Sequence, residues 1–347
     1  MMANAKKKAV QKKAAPKVSA KLAATVTAQK KNGKSKAPMI VAIMVLVVGL
    51  IGAQIYHKAR KEASLQFDMT RVGRVISTGM SDGQGMSPLA LQGDSEDNLY
   101  FLDGQGTDPA RLQKFSPSCD FIKKYVPSSA SHMIAGPADI DVDKDGNPWV
   151  LLKNSSVVVL DKDLKYVKTI PTGVAGPAGL GILPDGRFVV ASQIDNKIVV
   201  FSPLGQKIGE FGAPGTKSGD VISPLRLRAT ASGLIAVIEN MSGGLRMKVF
   251  GPDFKQLTQF NLDGLSWAEP VKLGVTKDDL MFCNDTMGGH GVMIWRLKDG
   301  EYLGASKGTT DNQLFISPGS GGANKYSKSV FVHSINGLTK CRMPEGK

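Results

Sequence analysis

From residue 68 onward the chain is a succession of short apolar runs separated by Gly, Asn, Asp and Pro. The clearest unit is residues 183–212, LPDGRFVVASQIDNKIVVFSPLGQKIGEFG. A Pro-Asp-Gly turn precedes the run at 188–191, and a polar turn at 193–197 precedes the run at 198–201. A Pro-Leu-Gly turn then leads to a last run at 207–211. Apolar runs of this length bounded by turn residues predict β-strands. Three antiparallel strands cannot bury their own apolar faces, so the unit predicts repetition.

Used as a ruler, it finds six second strands: NLYFLD (98–103), NPWVLL (147–152), RFVVAS (187–192), LIAVIE (234–239), DLMFCN (279–284) and SVFVHS (329–334). Their central residues Phe101, Val150, Val190, Val237, Phe282 and Val332 recur at intervals of 49, 40, 47, 45 and 50. Six third strands follow, RLQKF, SVVVL, KIVVF, RMKVF, GVMIW and GLTKC, starting at Arg111, Ser156, Lys197, Arg246, Gly291 and Gly337. Fourth strands follow five of these, from Phe121, Lys165, Lys207, Lys255 and Glu301. The sixth unit lacks one, and TRVGRVI at 70–76 is the candidate that closes it. Inner strands precede the second strands and begin at Pro137, Pro177, Pro88, Pro224 and Pro270, with Leu314-Phe315-Ile316 as the sixth. Four strands per unit and about 45 residues per unit predict an all-β, six-bladed β-propeller over 68–345.

The stretch 176–212 resembles the NHL-repeat family of β-propellers. It has a Pro-led apolar start, an Asp-Gly turn, Asn196 before the third strand and a closing Phe211-Gly212. Residues 136–170, with Asp-Lys-Asp-Gly-Asn at 143–147, are the next best match. The resemblance implies a propeller used as an interaction platform as often as an enzyme.

The N-terminus changes the picture. The chain of 347 residues carries a formal charge of +14, yet from Glu62 onward 30 basic residues balance 30 acidic ones. The surplus lies in residues 1–36, with eleven lysines and no acid, and in Lys58, Arg60 and Lys61. The tail reads as disordered, its charge suited to anionic lipid headgroups rather than to nucleic acid. Residues 37–56, APMIVAIMVLVVGLIGAQIY, are apolar enough to cross a bilayer as one helix. The lysine imbalance places the N-terminus in the cytoplasm and the propeller on the periplasmic or extracytoplasmic side. A signal peptide cleaved near Ile51-Gly52-Ala53 is the competing reading. Residues 57–67 form a linker.

Chemistry-bearing residues are sparse. Cys119, Cys283 and Cys341 are too few for a disulfide framework. Cys283, Cys341 and His333 occupy packing positions of the repeat, whereas Cys119 lies in a turn and is expected to be exposed. Glu239, Asn240, Asn284 and Asp285 at second-strand ends could form part of a calcium site in the central channel. The equivalent positions Leu152 and Ser192 offer a cation little. Trp267, His290 and His132 lie in loops and are candidate partner contacts, and loops 104–109, 127–136, 215–223 and 318–328 supply binding surface. No catalytic residue and no cofactor is assigned, and an enzymatic role is left open. The expected function is a membrane-anchored scaffold that binds other membrane or periplasmic proteins of an envelope assembly. A calcium-assisted hydrolase or lactonase acting in the channel is the alternative.

Overall fold

The structure, a computed structural model, describes residues 69–85, 88–104, 110–263, 265, 273–285, 291–306, 316–334 and 337–342. For 88, 284–285, 291, 316–322 and 333–334 it describes the backbone only. No helix among the described residues is long and apolar enough to cross a membrane. The basic tail, the apolar segment 37–56 and the linker lie outside the described residues.

Among the described residues the strands form six four-stranded antiparallel sheets. Blade 1 is β2 (Pro88–Gly93), β3 (Leu99–Asp103), β4 (Arg111–Phe115) and β5 (Phe121–Lys124). Blade 2 is β6 (Pro137–Val142), β7 (Pro148–Leu152), β8 (Ser156–Leu160) and β9 (Tyr166–Pro171). Blade 3 is β10 (Pro177–Ile182), β11 (Phe188–Ser192), β12 (Lys197–Phe201) and β13 (Lys207–Phe211). Blade 4 is β14 (Pro224–Ala229), β15 (Ile235–Met241), β16 (Gly244–Phe250) and β17 (Gln256–Asn261). Blade 5 is β18 (Leu273–Val275), β19 (Leu280–Asp285), β20 (Gly291–Arg296) and β21 (Tyr302–Ser306). Blade 6 is β22 (Ile316–Ala323), β23 (Ser329–Ser334) and β24 (Gly337–Arg342), completed by β1 (Thr70–Arg71) from the other end of the domain.

The inner strands β2, β6, β10, β14, β18 and β22 contact one another in that order, and β22 returns to β2, which closes a six-membered ring. The closing segment pairs Thr70 with Arg342 and Arg71 with Cys341, and a further bridge joins Ile76 to Leu338. The expected closure thus holds, although only two residues of 70–76 form a continuous strand.

Position within a blade explains the sequence pattern. The second strand of blades 1, 2 and 3 is buried on both faces because neighbouring blades cover it. The fourth strand alternates between partly buried and exposed positions because one face meets solvent, as β17 shows throughout. Apolar cores therefore lie between blades. Trp149, Leu151, Val157 and Val159 of blade 2 pack with Leu180, Ile182, Phe188 and Val190 of blade 3. Phe101 and Phe115 of blade 1 pack with Phe331 and Leu338 of blade 6 under Ile76.

Two expectations are corrected. The sixth inner strand is β22 (Ile316–Ala323), which runs through PGSGGA, a stretch expected to belong to a loop at 318–328; Leu314 and Phe315 lie outside the described residues. Small residues suit an inner strand because these strands converge on the axis. In β10, a Cβ added to Gly179 would lie 2.4 Å from the Leu227 amide nitrogen, and one on Gly181 would lie 2.8 Å from the Leu227 side chain. Second, Cys119 is buried, not exposed. It occupies a left-handed turn (φ 64°) beneath the closing segment, beside Ile76 and Phe115. Burial pushes its thiol up to about 11, so it is held as an inert packing group.

The close approach at β10 carries a prediction. Gly179→Ala is expected to cost about 1–3 kcal/mol of folding free energy, because the neighbour it meets is backbone that cannot rotate away. Gly209→Ala on the outer strand, where an added Cβ meets nothing within 4 Å, should stay within about 0.5 kcal/mol of wild type. Urea unfolding of both variants measures the contrast, and equal midpoints would remove the packing argument.

Candidate functional site

An inner strand is a sheet edge, so its outward amides lack ladder partners and must be met by something on the axis. In this propeller side chains meet several of them. Asp139 accepts from its own neighbour Ile140 N (2.9 Å) and from Leu180 N of the next blade (3.0 Å). Asp141 does the same one layer along, from Val142 N (2.8 Å) and Ile182 N (2.7 Å). Gln92 of blade 1 extends the series, accepting from Gly93 N (3.0 Å) and donating its amide to Asp141 (3.2 Å).

Each carboxylate also meets a cation sent across the axis. Arg228 of blade 4 pairs with Asp139, and its guanidinium also donates to the Leu227 carbonyl at 2.9 Å. Lys325, in the turn after β22, reaches Asp141 Oδ2 at 2.7 Å and the Ile182 carbonyl at 3.1 Å. Exposure is 0% for Asp141 and Lys325, 2% for Asp139 and 6% for Arg228. Burial works against the charge on Lys325 and lowers its pKa, with Asp141 opposing that shift. For Arg228 burial is outweighed by Asp139, which holds the guanidinium above its ordinary value. Tyr326 completes the layer, its hydroxyl donating to the Val142 carbonyl at 3.2 Å. The end of the axis carrying the turns between first and second strands is therefore occupied by a buried, hydrogen-bonded ion-pair network.

The predicted calcium ligands are placed differently. Glu239 is fully buried, and its carboxylate is engaged by Arg246 Nε at 2.7 Å and by Ile222 N at 2.9 Å, with Lys248 Nζ at 3.6 Å. Lys248 also donates to the Asp220 carbonyl, and burial lowers its pKa. A carboxylate shared by two cations is a poor ligand for a third. Asn240 is partly buried, and its backbone N–H donates to the Ser223 carbonyl at 3.2 Å. Asn284 and Asp285 lie in β19, with side chains outside the described residues. No group of three or more His, Cys, Asp or Glu able to hold a metal occurs among the described residues.

The remaining candidates divide in the same way. Leu152 and Ser192 are buried, and the Ser192 hydroxyl donates to the Ala175 carbonyl at 2.6 Å. His132 forms the end of a short 3-10 turn (Ala130–His132) between blades 1 and 2. Its ring stacks on Tyr166 at 3.6 Å, and Nδ1 lies 2.9 Å from the Ser128 hydroxyl, so it fastens that connection to blade 2. Trp267 and His290 lie outside the described residues, as does the His333 side chain. Cys283 and Cys341 are fully buried as expected, and burial raises the Cys283 pKa.

Sequence reading passed over Asp139, Asp141, Arg226, Arg228 and Lys325. A signal was present: alternating charges in inner strands, Asp-Ile-Asp at 139–141 and Arg-Leu-Arg at 226–228, where every second residue shares one side.

A closed ring of six four-stranded blades with a charged axis defines the chain as a six-bladed β-propeller. No protein-family model and no curated protein matches its sequence. Among solved structures it is similar to the RRP9 WD40 repeats, with a TM-score of 0.53 and 11% identity over 80% of this chain and 100% of that one. It is also similar to virginiamycin B lyase from Staphylococcus aureus, with a TM-score of 0.48 and 11% identity over 73% of this chain and 80% of that one. At such identity the first of these likenesses speaks to fold alone.

Proposed function

We propose that this propeller, of NHL-repeat type, is a protein-binding scaffold held at a membrane by residues 37–56, with the disc on the periplasmic side and other envelope proteins as its partners. The lysine-rich tail remains cytoplasmic in this reading and lies against anionic lipid headgroups. The observation that carries it is on the rim. The second residue of the outer strand is an exposed aliphatic side chain on four successive blades: Ile122, Val167, Ile208 and Leu257, at 43%, 53%, 54% and 59% exposure. Each lies beside a register shift between the third and fourth strands. Single exposed aliphatics are ordinary, but repetition at one structural position presents the same contact around a rigid disc. The paired charges of the axis, Asp139 with Arg228 and Asp141 with Lys325, serve the architecture, which leaves the rim and loops as the surface for protein partners.

The test is photo-crosslinking of the full-length chain in its native membrane, with the reactive residue placed at 208 or 257. Attachment to another envelope protein is the expected result. Ile208→Glu combined with Leu257→Glu should weaken capture about tenfold or more without unfolding the disc, since both side chains are exposed. Recovery of the chain outside the membrane fraction, or attached only to itself, would overturn the reading.

A further inference from the structure

Among the described residues, one cation on the axis is unpaired. Arg226 and Arg228 of β14 and Lys325 after β22 lie with the carboxylates Asp139 and Asp141 of β6. Asp139 pairs with Arg228 and Asp141 with Lys325, and each acid also accepts from two backbone amides. Arg226 is the cation left over. Its guanidinium has five donors, of which one is used, on the carbonyl of the preceding residue Leu225 at 2.7 Å. Glu239, an acid of the same blade, is taken by Arg246 and Ile222.

Register fixes where this charge sits. Arg226 pairs with Ile238 across β14 and β15, the place Asp139 takes opposite Leu151 in blade 2. Arg228 pairs with Ala236, nearer the turn end that Lys325, Gln92 and Tyr326 occupy. Arg226 therefore lies further toward the face of the inter-blade loops, and it keeps partial exposure where Arg228 does not. Burial lowers its pKa, with Arg228 adding to that effect and Asp139 opposing it. A guanidinium does not lose its proton near neutral pH, so the charge persists and is open to an incoming anion.

We propose that Arg226 is the binding group for a single carboxylate that enters the axial channel from the inter-blade loop face. One unpaired guanidinium matches one carboxylate, and its free donors engage the two carboxylate oxygens through two parallel hydrogen bonds. The carboxylate belongs either to a free small acid or to an acidic side chain of a docked protein. The site stands on the axial charges and does not depend on the rim.

The probe is acetate, with chloride at equal ionic strength as the control, on the full-length chain in detergent. Thermal unfolding should show a saturable rise of roughly 3–6 °C for wild type near a hundred times Kd, beyond any chloride effect. Arg226→Gln should lose that rise while unfolding at or above the wild-type temperature in chloride, because it removes an unpaired charge. Arg226→Lys should keep a weaker response. Wild type responding equally to acetate and chloride, or Arg226→Gln responding as wild type does, would overturn the proposal. Crosslinking of Arg226→Gln in the membrane then separates the sources. Lost capture assigns the carboxylate to a partner protein, and retained capture assigns it to a small acid. Failure to capture any partner would sink the scaffold and leave the acetate result standing.

Discussion

Asp141→Leu is expected to remove about 3–5 kcal/mol of folding stability, the largest effect of any single substitution on the axis. The variant orphans four donors at once: Lys325 Nζ, Gln92 Nε2 and the amides of Val142 and Ile182. Lys325 is fully buried and keeps only the Ile182 carbonyl, so its charge is left without a counter-ion. The pair itself need not be stabilising relative to apolar residues, since desolvating two ions offsets most of their attraction. Asp141→Leu combined with Lys325→Met should therefore recover about half of the loss or more. Denaturant midpoints of the two single variants and the double measure the coupling. If Asp141→Leu costs no more than Lys144→Ala, an exposed neighbour, the axial network has no structural role.

The second large effect concerns ring closure at Asp97. The turn between β2 and β3 puts Asp97 in a left-handed conformation (φ 65°), the place held by Gly146 in blade 2 and Gly186 in blade 3. A non-glycine residue there is justified by its contacts with blade 6. Its carboxylate pairs with Lys340 at 2.6 Å and accepts from Ser327 (2.7 Å), Ser329 (3.0 Å) and Asn324 (2.9 Å). Asp97→Gly relaxes the backbone, a gain of about 1 kcal/mol, but removes every one of these bonds. A net loss of about 2–3 kcal/mol is expected. Equal or greater stability in that variant would show that the side chain contributes nothing to closure.

The same residue predicts a pH dependence. Burial alone would raise the Asp97 pKa, but hydrogen bonds from Lys340, Ser327 and Asn324 outweigh it and hold it below 3.8. A carboxylate depressed in the folded state stabilises fully above its unfolded value. That contribution is lost as pH falls through the lower folded value. Wild type should therefore lose more stability than Asp97→Gly between about pH 4 and pH 2.

Ring closure also shows where sequence reading succeeds. Blade number, strand order and the N-terminal closing segment follow from residues 70–342 because each strand class has its own burial environment. Second strands lie between blades and read as nearly continuous apolar runs, while fourth strands such as β17 alternate. This periodicity is local and survives even in blade 6, where β23 (Ser329–Ser334) begins and ends at the residues the pattern indicates. Inner strands are harder to read. Their spacing from the axis selects glycine and small residues, which resemble a loop in composition, and so β22 was legible only through its neighbours β2 and β18.

The charged axis was the least visible part. Asp141 and Lys325 are 184 residues apart, Asp139 and Arg228 89, and Asp97 and Lys340 243. In the sequence each reads as one of many polar turn residues, and net charge from Glu62 onward is zero. Whether a carboxylate is an available ligand or already bound by a cation depends on which blades face one another. Glu239 looked like a ligand by its place at a strand end, and Arg246 beside it decided otherwise. The sequence by itself determined the repeat, its count and its order, because hydrophobic periodicity acts over a few residues. Only the closed ring decided the pairing of axial charges and the one left over, Arg226, because Coulomb energies in a buried channel depend on distances that closure alone brings about.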